Sequence, residues 1–142
     1  MKIKTNRLSR SMLNTLEEEF RSYPLIPQLK AEALVKVNLK HIDENWWIKA
    51  NQMHIEPELE ELLKKEDNQR YQYLDRLQSA IQEAYENLPA ELQTVVMSCF
   101  WGDKRYYNWE MIGRYVLGIS SAGIYRARYQ ILESLAKEEG IV

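Results

Sequence analysis

Residues 109–132 read WEMIGRYVLGISSAGIYRARYQIL, and the spacing of glycines and apolar side chains in this stretch decides the architecture. Asn108, just before it, can accept an orphan amide hydrogen bond as a helix N-cap, so a helix is expected from Trp109 to about Val116. Gly118 can take the left-handed conformation that ends a helix. Ser120 can cap the next helix, expected over Ser121 to about Glu138, with Gly140 ending it. Gly113 supplies the small residue needed where two helices cross, and Ile119, Ile124 and Ala127 supply the apolar lock between them. The expectation is a helix-turn-helix at about 108–138. Ile124, Ala127, Ile131 and Leu135 share one face of its second helix, which leaves Ser121, Ala122, Tyr125, Arg126 and Tyr129 outward and Arg128 flanking them.

Upstream, Asn87-Leu88-Pro89 breaks one helix and starts another, Pro89 to about Trp101, with Leu92, Val95, Val96, Cys99 and Phe100 inward. Before it, Leu74, Leu77, Ile81, Ala84 and Leu88 repeat at helical spacing. Pro57 suits a first helical turn, and the acidic stretch that follows reads as a solvated face or a kink. Leu13, Leu16, Phe20 and Tyr23 mark an amphipathic helix from Ser9 to Tyr23, stopped by Pro24 and Pro27. A short second helix is expected from Gln28 to about Asn38. Residues 39–55, with Trp46 and Trp47, are the least readable. Nothing reads as strand. The fold class is all-α: an N-terminal helical segment over 1–56, whose Leu13, Leu16 and Phe20 serve partner or dimer contact or equally are buried in the same core, and a helical domain over 57–142.

At 142 residues with a formal net charge of −2, the chain can bury a real core and is no general nucleic-acid coat. The charge is unevenly distributed. Lys2, Lys4, Arg7 and Arg10 open the chain without an acid, residues 56–67 are acidic, and between Trp101 and Gln130 the bases Lys104, Arg105, Arg114, Arg126 and Arg128 outnumber Asp103 and Glu110. No apolar run approaches the ~20 residues of a membrane span, and no apolar leader follows Met1. Cys99, alone in an apolar run, reads as a buried small hydrophobe, and a reducing cytoplasm suits it. His41 and His54 have no metal-ligand spacing around them. No phosphate loop or nucleophile–base pair is found, and Glu17-Glu18-Glu19 reads as a helix's polar face. The expectation is therefore no enzyme and no cofactor.

The outward face of the last helix points to double-stranded DNA. Short Ser121 and Ala122 would let the helix approach the major groove, Tyr125, Arg126 and Tyr129 would reach base edges, and Lys104, Arg105, Arg114 and Arg128 would hold the backbone. Gly118-Ile119-Ser120 alone would fit an ordinary helical hairpin, whose glycine is only a C-cap. Tyr106, Tyr107 and Trp109 are read as core or loop packing.

Asn87-Leu88-Pro89 through Met97, followed by the helix-turn-helix and a long last helix, resembles region 4 of sigma-70-type factors. The chain as a whole, through its Leu13–Tyr23 helix and its Ile131–Ile141 ending, resembles the RinA/ArpU-type phage regulators. That resemblance implies a transcriptional activator of phage late packaging and lysis genes, acting near a promoter with host RNA polymerase and possible as a homodimer in the bacterial cytoplasm. A small-terminase-like packaging component and a sigma-like polymerase subunit are the alternatives. One departure stands out. Between Ile112 and Leu117 there is one residue more than the common pattern places there, so either Val116 takes the second apolar position or the turn is longer.

Overall fold

The computed structural model describes residues 8–41 and 69–142. The domain boundary expected at 56/57, Trp46, Trp47, His54, Pro57, the acidic stretch 56–67 and the bases Lys2, Lys4 and Arg7 lie outside them. All described secondary structure is helical, as expected: α1 (Arg10–Arg21), α2 (Ile26–His41), α3 (Gln69–Glu86), α4 (Ala90–Val95), α5 (Trp109–Met111) and α6 (Ser121–Glu138). Among the described residues no helix is long and apolar enough to cross a membrane. A 3-10 turn, Tyr23–Leu25, joins α1 to α2. Two helices continue as π-turns, α4 through Val96–Phe100 and α5 through Ile112–Leu117.

Contacts divide the chain into two units. One comprises Met1–Pro24 and Leu77–Val142, the other Leu25–Arg76, and α3 contributes to both. In the second unit, α2 starts at Ile26, earlier than the expected Gln28, because Pro27 falls in its first turn, where the missing amide costs nothing. Ile26, Ala33 and Leu74 are buried, and Lys30 Nζ donates to Asp75 Oδ1 at 2.8 Å.

The larger unit holds the main core. Phe20, Ile81, Val95, Val96, Cys99, Phe100, Ile112, Ile124, Ile131, Leu132 and Leu135 are completely buried. Each such aliphatic or Phe side chain contributes about 1.5–3 kcal/mol by leaving water. Ser9 caps α1 by accepting from Met12 N, and α1 lies along α6. Of the two readings of the first helix, the structure has burial in the chain's own core for Leu16 and Phe20. At Pro89 the helix breaks as expected, and Gln93 Nε2 donates to Tyr85 O at 3.0 Å across the break.

Aromatic rings concentrate where α1 meets the end of α4. Phe20 and Phe100 meet edge to face at 5.5 Å, Trp101 stacks on Tyr23 at 4.6 Å and lies 5.2 Å from Tyr85, and Phe100 meets Trp109 at 5.7 Å. Trp101 Nε1 donates to Phe20 O at 2.8 Å, so the largest ring in the cluster leaves no buried donor unmatched. The sharp exit after Trp101 demands glycine: a β-carbon at Gly102 would stand 2.6 Å from Met97 O.

Candidate nucleic-acid interface

Four local features present the N-terminal end of α6. Asn108 Oδ1 accepts from Met111 N at 2.8 Å and starts α5. Gly113 is buried at the crossing of α5 and α6, where an added β-carbon would lie 3.1 Å from Ile124 Cβ. Gly118 sits at φ 65°, the left-handed region, and reverses the chain. Ser120 Oγ then accepts from Gly123 N at 3.3 Å and opens α6. The extra residue between Ile112 and Leu117 is taken up in the helix itself, since the Gly118 amide reaches back five residues to Gly113 O. Val116 and Leu117 are both half-buried.

Most of the expected contact residues stand where the sequence places them. Ser121, Ala122, Tyr125 and Arg126 are exposed on the first two turns of α6, and Tyr129 is half-buried one turn further on. Lys104, Arg105 and Arg114 are exposed on the preceding loop and helix. Ile119 departs from its expected place in the apolar lock. It is 41 % exposed and covers Gly123, because it leaves the turn on the outer side.

Arg128 must be removed from the backbone-contact set. Its Nε donates to Glu17 Oε1 at 2.8 Å and its Nη2 to Asn14 Oδ1 at 3.1 Å, and only 16 % of its side chain meets solvent. Glu17 is the residue that sequence reasoning missed. It also accepts from Arg21 Nε at 2.9 Å and from Trp109 Nε1 at 3.1 Å, tying α1, α5 and α6 together. Burial alone would raise its pKa. The Arg128 hydrogen bond, the charge and hydrogen bond of Arg21 and the Trp109 donor outweigh that and hold the carboxyl below its usual 4.5. A signal for the pair existed. Glu17 lies four residues after Leu13 and three before Phe20, while Arg128 lies four after Ile124 and three before Ile131, so each sits inside an apolar stripe.

A further departure concerns Tyr106, in the loop before the turn. Trp109 packs inward as expected, but Tyr106 is 74 % exposed and Tyr115 61 %. Tyr106 meets Tyr107 at 5.0 Å, Tyr107 meets Tyr115 at 6.1 Å, and the Arg114 guanidinium lies 5.9 Å from the Tyr115 ring centre. No family model, curated protein or solved structure matches the chain.

Proposed function

We propose that this chain is a sequence-specific DNA-binding transcriptional regulator that lays the N-terminal end of α6 in the major groove as the second helix of a helix-turn-helix. The observation that carries the reading is the exposed quartet Ser121, Ala122, Tyr125 and Arg126 on a helix start fixed by Gly113, Gly118 and Ser120. The two short residues let the backbone approach DNA, and Arg126 and Tyr125 have the reach and donors for base edges. Lys104, Arg105 and Arg114 hold phosphates. The resemblance to sigma region 4 and to phage late regulators supports activation beside RNA polymerase at a late promoter, without a cofactor or enzymatic step.

In-vitro selection from a random duplex pool tests this directly, with the Tyr125→Ala/Arg126→Ala protein in parallel. Wild type enriches a motif and the double variant loses it. On the enriched site Arg126→Ala costs about 1–3 kcal/mol and relaxes preference at one base position. Failure to enrich any motif, alone and with RNA polymerase added, would falsify the reading.

A further inference from the structure

The rings of Tyr106, Tyr107 and Tyr115 lie outside the aromatic core yet touch one another in a row. Scattered exposed rings need no explanation; a contiguous row is a different matter. Tyr106 and Tyr115, at its two ends, are 74 % and 61 % exposed, so the row keeps open ring faces. Tyr107 between them is half-buried and meets the ring at either end. Exposed Lys104 and Arg105 lead into the row and Arg114 lies against its far end, while Asp103 and Glu110 are the acids of the same stretch. The charge balance is therefore positive here in a chain whose net charge is −2.

This combination fits one polyanion better than another. In a duplex the base faces are stacked on one another, and the grooves offer only base edges and phosphates. Open tyrosine faces find nothing to stack on there. In a single strand the faces are free, stacking on aromatic rings tolerates any sequence, and basic side chains interleaved with the rings meet the phosphates in between.

We propose that the Tyr106–Tyr107–Tyr115 row is a binding surface for single-stranded nucleic acid, with unpaired bases stacking on Tyr106 and Tyr115 and phosphates held by Lys104, Arg105 and Arg114. The surface goes beyond duplex recognition by α6 and stands without it, because a single strand has no groove for that helix to enter. In a regulator it would hold an unpaired strand next to the duplex site.

Fluorescence anisotropy on the full chain tests it, using labelled oligothymidylate and oligouridylate of about 20 nucleotides, enough for one or more sites of the usual size. A random-sequence duplex serves as the third probe, and each titration is repeated at raised salt. The expected result is that at least one single strand binds more tightly than the duplex, and that raised salt weakens it. Whichever sugar binds better identifies the source of the strand, DNA or RNA. Tyr106→Ala/Tyr115→Ala weakens single-strand binding by about tenfold or more, whereas Tyr106→Phe/Tyr115→Phe stays within about twofold, since stacking needs the ring and not the hydroxyl. Circular dichroism of both variants matches wild type, both rings being exposed. Three results would overturn the surface: no single-strand binding at low salt, unchanged binding by the alanine pair, or equal losses in the alanine and phenylalanine pairs. The motif selection described above is a separate readout, so failure here with selection intact removes the tyrosine surface alone.

Discussion

Aromatic side chains occupy two regions of the larger unit, under opposite rules. Around Phe20, Phe100 and Trp101 each ring meets others, Trp101 and Trp109 have their indole donors matched, and the Arg21 guanidinium lies 4.5 Å over the Phe100 ring while donating to Cys99 O. Around Tyr106 and Tyr115 the rings meet Tyr107, the Arg114 guanidinium lies over the Tyr115 ring, and both end rings are largely exposed to water. Residue type does not separate the regions, since Tyr23 stacks inside while Tyr106 lies outside. What separates them is helix periodicity. Phe20 and Phe100 fall on apolar stripes, whereas Tyr106 belongs to the loop between α4 and α5, and Tyr115 to the outward side of a helix whose Ile112 and Gly113 point inward. Rings on a stripe stabilise the fold, and rings off it are left for other uses.

The largest effect that could undo this contrast is in stability. Phe100→Ala should cost about 3–5 kcal/mol by urea denaturation, through lost burial and a cavity, while Tyr106→Ala/Tyr115→Ala should stay within about 0.5 kcal/mol of wild type. Comparable losses would place the tyrosine row in the core.

Next comes the polar tie that holds the inner region to α6. Glu17→Gln keeps the shape but removes the charge facing Arg128 and Arg21, and should cost about 1–3 kcal/mol at neutral pH. The folded carboxyl titrates below its ordinary 4.5, so its contribution is complete above about pH 4.5 and fades as the pH falls further. Denaturation at about pH 3 should therefore find wild type and the Gln variant closer together than at pH 7. A gap that stayed constant with pH would mean that packing, and not charge, is what Glu17 supplies.

The smallest effect lies at the far end of the same α1–α6 seam. There partial burial, then the hydrogen bond and charge of Glu19, push the Glu139 carboxyl up to about 8. A carboxyl raised in the fold contributes fully below its ordinary 4.5 and loses that contribution as the pH climbs through about 8. Glu139→Gln should remove this decline, gaining on wild type between pH 5 and pH 8 by a margin kept small by solvent screening. Parallel pH curves for the two proteins would show that the Glu139 carboxyl is not raised in the fold.

The helices and their caps were legible because each rests on local chemistry. Asn108 and Ser120 precede helices as caps, and Gly118 takes the positive φ that its place after α5 requires. Apolar periodicity likewise placed Leu77, Ile81, Val95, Ile124 and Ile131 in the core. Tertiary pairing was harder to see. Leu16 and Phe20 would look the same on a helix docked within the chain and on one docked to a partner, and only the position of α6 decides between them. Charge taken apart from periodicity places Arg128 among the surface bases. Its place between Ile124 and Ile131, set beside that of Glu17 between Leu13 and Phe20, describes a matched pair on facing stripes. Of the expected contact set, the face of α6 was readable by subtraction, and the exposure of Tyr106 was not, since a loop has no period to read.

The π-turn in Ile112–Leu117 bears on how such a chain can change over generations. A residue inserted into a regular helix rotates everything beyond it by about 100°, which would swing α6 away from its present face. Taken up as a wider turn, the same insertion leaves the flanking residues on their original sides. Loss of one residue between Met111 and Gly118, closing the wide turn to an ordinary helical one, is thus a change of length that the exposed face of α6 does not register.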